Sequence, residues 1–168
     1  MASSAELRQQ AVSELQATRD ALLPWFAVTG PELTRSYAPG KWTVHELLVH
    51  LADAESVLLD RVRRLASEEK PLLWAFDQDA WVAKLNYRNR DLARAGRLFA
   101  AARESILELA TGFDEAALAR VGVHSERGKV TLVETLNGIA KHCGHHLGQL
   151  QAIRAGTPWD PARAITYR

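Results

Sequence analysis

The chain holds a single cysteine among 168 residues, which excludes an internal disulfide and every cysteine-rich zinc module. Any metal site must therefore rest on histidine and carboxylates. Charge of one sign is also missing. Lys and Arg total 21 against 20 for Asp and Glu, a formal charge of +1, so bulk electrostatics recommend neither a nucleic-acid nor an anionic-membrane partner. The arginines lie among acids along helical segments, the pattern of solvated faces. No apolar run approaches the ~18–20 residues of a membrane span, and the opening MASSAELRQQ has no signal-peptide core, so a reducing cytoplasm is the expected location. Sustained two-residue alternation is absent as well, and no sheet is expected; nor is there a repeat or a linker. With 47% hydrophobic and 24% charged residues, the composition is that of one globular domain spanning 1–168.

Four helices are predicted. The first runs from about Ser4 to Trp25, with Leu7, Val12, Leu15, Leu22 and Leu23 near helical spacing and Gly30-Pro31 closing the segment. Thr43 and Glu46 then form a T-x-x-E capping box, which opens a second helix running to about Ala66. A third fits Asp91 to Ala110, with Gly112 placed to stop it. Thr131 and Glu134 repeat the cap, and the fourth helix runs to Ala155 before a Gly156-then-Pro158 stop. Between the second and third helices lie roughly 24 residues, Ser67 to Arg90, against the ~2–8 that antiparallel neighbours need. Trp74, Phe76, Trp81 and Tyr87 in that stretch need somewhere to pack, so it is expected to be structured. A long crossover lets successive helices run parallel. The expected architecture is an all-α, up-down-down-up four-helix bundle with a structured crossover.

Six histidines carry the chemistry. At ~100° per residue, His146 lies about 40° from His142 on one helical face, bordering the stripe of Leu132, Leu136, Ile139, Leu147, Leu150 and Ile153. His145 points away, toward solvent or a neighbouring helix. Imidazoles at i and i+4 can share one ion, although packing and surface roles also produce such pairs. A third ligand is needed, and His50 is the candidate, at the edge of the stripe of Leu47, Ala54, Leu58, Val62 and Leu65. The string HELLVH imitates the H-E-x-x-H of zinc proteases but places the second histidine one residue late. His45 and His50 are then about 140° apart and cannot hold the same ion, so His45 reads as a surface residue.

The elements GKWTVHELLVHLADAE, FDQDAW and HSERGKVTLVETLNGIAKHCGHHLGQL together resemble the DinB superfamily, especially its YfiT-like branch, from about Tyr37 to Ile153. The resemblance implies an up-down-down-up four-helix bundle. It also implies a metal held by one histidine of the second helix and two of the fourth, which falls on His50, His142 and His146. The metal expected is Zn²⁺ or Ni²⁺, with a low-molecular-weight thiol as co-substrate, a small-molecule substrate, a homodimer, and neither nucleic acid nor membrane as partner.

Three functions are consistent with such a site. The first is transfer of a bacterial thiol to an electrophile, with Asp53 and Gln149 as candidate accessory residues: Asp53 at the offset for an imidazole N–H, Gln149 one turn beyond His146. Arg154 is a weaker candidate for a substrate carboxylate, since arginines at helix ends usually complement the dipole. The second is hydrolysis, for which only Asp53 and Glu46 offer a general base near the histidine faces. The third is a stress-associated, non-catalytic module with a structural ion. Cys143, about 100° round from His142, makes a poor fourth ligand for it and reads as packing. The tryptophans are able to build an aromatic pocket, but Trp42 is expected to staple the second helix and Trp74 and Trp81 to pack the crossover; His124, Arg127 and Lys129 form a polar turn that either rims the pocket or, as expected, is a solvated loop.

Overall fold

The structure is a computed structural model describing residues 4–162. Four long helices carry it: α1 (Ser4–Leu22), α2 (Val44–Ser67), α4 (Leu92–Gly112) and α6 (Leu132–Ala155). Two short helices, α3 (Gln78–Lys84) and α5 (Glu115–Leu118), and three short strands, β1 (Leu72–Leu73), β2 (Val121–His124) and β3 (Gly128–Thr131), fill the connections. Both capping boxes form. The Glu46 carboxylate accepts the Thr43 N–H at 2.8 Å, and Glu134 accepts that of Thr131 at 2.8 Å, so α2 and α6 begin where the T-x-x-E motifs place them. Gly156, at φ +65°, ends α6 in the left-handed conformation that glycine adopts without cost.

Two helix ends differ from expectation. The first helix stops at Leu22 rather than Trp25, because Pro24 lacks an N–H and restricts the residue before it; the chain continues as a 3₁₀ turn, Leu23–Ala27. Gly112 is the last residue of α4, followed by extended Phe113, and does not serve as a left-handed stop.

Cross-helix contacts set the topology. His45 at the start of α2 meets the Arg90 carbonyl just before α4, and Glu55 meets Arg103 further along both, so α2 and α4 run parallel. Arg8 near the start of α1 bonds the Phe113 carbonyl beyond the end of α4, making that pair antiparallel. Glu14 lies by Lys141 and Trp25 by Arg154, so α1 and α6 run the same way. The order is up-down-down-up, with α4 and α6 each packed against both α1 and α2.

The expectation of no sheet is overturned. β1 pairs parallel to β2 (Leu72 opposite Val123), and β2 pairs antiparallel to β3 (Val121 opposite Thr131). Strands of two and four residues are too short to display alternation, and Gly122 interrupts what there is. That glycine is required: a Cβ there would stand 2.8 Å from Leu65 Cδ2 and 2.9 Å from the Pro71 carbonyl oxygen. The segment VHSERGKV is therefore a hairpin rather than a loop, with residues 125–129 exposed to solvent as expected.

Two apolar clusters fill the bundle. One gathers Leu15, Leu59, Leu65, Ile106, Leu132 and Ile139; the other Leu22, Leu47, Leu51, Tyr87, Phe99 and Leu150. At mid-bundle the fully buried Arg103 donates to both Glu55 oxygens at 2.6 and 3.0 Å. It also donates to the Leu15 carbonyl and to Thr18 Oγ1, each at 2.8 Å. Cys143, completely buried, packs as expected but also belongs to this layer, its Sγ 2.9 Å from Arg103 Nη2. Among the described residues, no helix is long and apolar enough to cross a membrane.

Candidate metal centre

The structure brings His50 of α2 together with His142 and His146 of α6, their ligand atoms all within 4.8 Å of one another. The Nε2 atoms of His50 and His142 stand 3.0 Å apart. Two nitrogens each ~2.0–2.1 Å from one ion stand roughly 2.8–3.4 Å apart at angles of about 90–109°, so this spacing fits a shared ion. Ring centroids of 4.6 to 5.2 Å and near-perpendicular planes let the three rings converge on one point without stacking.

Gln149 directs His146. Its Oε1 accepts from His146 Nδ1 at 2.8 Å, which holds the ring proton there and leaves the Nε2 lone pair free. Its amide nitrogen reaches Nε2 of exposed His145 at 3.2 Å, and His145 also meets Trp159 edge to face. His145 thus stands beside the cluster, as the helical wheel places it. His142 Nδ1 is buried without a hydrogen-bond partner among the described residues.

Burial keeps all three imidazoles neutral. It pushes His50 down to about 3, with the neighbouring His146 adding to the shift, and His146 to about 4. His142 falls well below the ordinary value through burial and then its two partners. Neutral imidazoles offer lone pairs at any ordinary pH, the state a metal ligand needs.

Other sequence candidates are engaged elsewhere. Asp53 is buried and accepts from Tyr87 Oη at 2.7 Å, with Arg90 at 3.6 Å; Tyr87, not an imidazole, is its hydrogen-bond partner. Glu46 has one oxygen on Thr43 and the other on Arg88 Nε at 2.7 Å. Burial pushes its pKa up, but the Thr43 N–H and Arg88 outweigh that and hold it below the ordinary value. Arg154 pairs with Glu32 at 2.8 Å, its guanidinium 3.6 Å from the Trp25 ring centre, so it docks the end of α6 onto the segment after α1. His45 bonds the Arg90 carbonyl at 2.8 Å.

A cavity of about 400 Å³ reaches the cluster at His146 and Gln149, bounded by Tyr37, Trp42, Gln78 and Asp79. Trp42 does more than staple α2: its ring lies 4.9 Å from that of His50 and 6.3 Å from that of His146, so it walls the site. Trp81 packs the crossover against Phe76 at 4.5 Å. Trp74 does not pack there. It is 72% exposed, and its carbonyl accepts from Arg61 at 2.6 Å. Sequence reading missed Gln78 and Asp79 as cavity residues, although both lie in the FDQDAW element. Asp77 caps α3 through the Ala80 N–H and turns the two residues after it toward the site.

The chain is similar to a candidate metal-dependent hydrolase of Oceanobacillus iheyensis, 26% identical over 120 residues, covering 71% of this chain and 69% of that one. A second relative, the candidate metal-dependent hydrolase YfiT of Bacillus subtilis, is 22% identical over 134 residues, covering 79% and 75% of the two chains. The solved structure of Bacillus subtilis YfiT, described as having an unusual four-helix-bundle topology, superposes with a TM-score of 0.82 at 21% identity, covering 94% of this chain and 91% of that one. A mycothiol-dependent maleylpyruvate isomerase shares the fold with a TM-score of 0.69 at 15% identity; 89% of this chain covers 63% of it. The DinB superfamily model matches residues 14–150, from α1 almost to the end of α6, and the chain belongs to that superfamily.

Proposed function

We propose that this protein is a metal-dependent enzyme in which His50, His142 and His146 hold one divalent transition ion, Zn²⁺ or Ni²⁺, and a small thiol is transferred there to an electrophile. The observation that carries the reading is the meeting of three neutral imidazoles, with ligand atoms within 4.8 Å, beside a cavity large enough for a small molecule. A divalent ion on three imidazoles keeps a thiol ionised and nucleophilic, or lowers the pKa of water toward ~7. The chain's own residues supply the rest. Gln149 holds the His146 proton on Nδ1, and Trp42 shields the rings on one side. Thiol transfer ranks above hydrolysis because a thiolate needs no general base, whereas Asp53 and Glu46 are occupied by Tyr87 and by Thr43 and Arg88.

One observation favours hydrolysis as the second reading. Asp79 lines the same cavity as His146 and is a carboxylate able to serve as base, in keeping with the names of the hydrolase relatives. Protein purified without chelator should contain one equivalent of Zn²⁺ or Ni²⁺ by elemental analysis. It should then consume bacterial thiol in step with an added electrophile. Ester hydrolysis without thiol consumption, lost in Asp79→Asn, would sink the transfer reading. Absence of stoichiometric metal would sink both.

A further inference from the structure

A second cavity, of about 170 Å³, touches the cluster through His142 and is lined by Arg61, Phe76, His124, Arg127 and Thr135. Its polar side is cationic and short of partners. Arg61 is only 8% exposed; Nη2 donates to the Trp74 carbonyl at 2.6 Å, while Nε is buried with no hydrogen-bond partner among the described residues. Neither Arg61 nor Arg127 forms an ion pair among the described residues. Burial destabilises the Arg61 cation, and the charge of Arg127 destabilises it further. Asp60 and Glu126 act on Arg61 only from a distance, and Asp60 is bonded to Arg64 at 2.7 Å. A nearly buried guanidinium with no carboxylate partner costs free energy that a bound anion would recover. His124 Nδ1 accepts the Glu126 N–H at 3.2 Å, so its ring proton sits on Nε2, a further donor on the cavity lining.

We propose that Arg61, Arg127 and His124 form a carboxylate-binding subsite, so that the molecule handled at the tri-histidine cluster is an organic acid. The proposal rests on reading that cluster as the reactive centre. Two guanidinium groups suit a planar carboxylate, and the apolar wall beside them favours an organic acid over inorganic phosphate. Leu58, Ala54 and Phe76 supply apolar contact for a short carbon chain. The acid would be held on the His142 side, leaving the larger cavity at His146 to admit the second reactant.

Calorimetric titration of the full-length protein, its metal content measured on the same sample, tests this with succinate, succinamide and inorganic phosphate. Succinate should saturate one site, and succinamide should bind at least tenfold more weakly. Phosphate should bind more weakly than succinate. Exposed Arg127→Gln should keep the melting temperature and the metal content while weakening succinate at least fivefold; Arg61→Lys should weaken it further if it folds. No succinate binding to the parent protein, equal binding by succinamide, tighter binding of phosphate, or unchanged succinate affinity in Arg127→Gln would each overturn the proposal. Direct coordination of succinate by the ion would give that last result. The metal reading fails separately, by absence of stoichiometric metal.

Discussion

Two buried polar clusters lie within two turns of each other on α2 and α6, and they are built on opposite plans. Arg103, Glu55, Thr18 and Cys143 form a closed set. The guanidinium is satisfied by both carboxylate oxygens, a hydroxyl, a main-chain carbonyl and a sulfur. Burial pushes the Cys143 thiol up to about 12, so it stays protonated and inert. His50, His142 and His146 form an open set: their ring nitrogens converge on one point, and His142 Nδ1 has no hydrogen-bond partner among the described residues. Polarity in a core therefore does not by itself mark a site. Unmet bonding capacity does.

Substitutions separate the two plans. Arg103→Met strands the Glu55 carboxylate in the core and should destabilise the protein by about 3–5 kcal/mol in denaturant unfolding. The metal stoichiometry of the fraction that stays folded should be unchanged. Loss of metal without loss of stability would mean that the clusters are coupled rather than distinct.

Acid probes the open set. Burial holds His50 at about 3 and His146 at about 4 in the folded protein, against about 6.5 unfolded, so the unfolded chain takes up protons first. The metal-free protein should keep this contribution to stability above pH ~6.5 and lose it progressively as the pH falls toward 4, followed by thermal melts across that range. A flat profile would show that the imidazoles are far better solvated than their burial implies.

His146→Ala should lower metal affinity by more than the ~10–100-fold that outer-shell partners cost, with little change in the melting temperature of metal-free protein. Equilibrium dialysis against a competing chelator measures it. Gln149→Leu should fall inside that ~10–100-fold range, since it frees the His146 tautomer without removing a ligand. If it proved harmless, Gln149 would belong with Asp53, whose bonds serve packing.

The bundle was readable because its signals are local. Thr43 with Glu46 and Thr131 with Glu134 each bring cap donor and acceptor within four residues, and the faces of His50, His142 and His146 follow from helical period alone. The Arg103–Glu55 layer was not readable, because either residue alone looks like part of a solvated helical face. Only the helices packed opposite decide that both are dehydrated. The same holds for Arg61, whose surroundings come from a hairpin some 60 residues away that is too short to announce itself as strands. Asp53 was placed at the right offset for an imidazole but lacked its true partner, since Tyr87 reaches it from the crossover.

The connections have a consequence for how members of such a family diverge. All three imidazoles sit on α2 and α6, whereas Phe76, Gln78, Asp79, His124 and Arg127, which shape the two cavities, sit on the crossover and the hairpin. Part of the selectivity is therefore encoded on the connections, away from the ligands, while Arg61 shares α2 with His50. Exchanging residues 68–91 for those of a relative should retune what is accepted while the ion-holding scaffold is inherited intact.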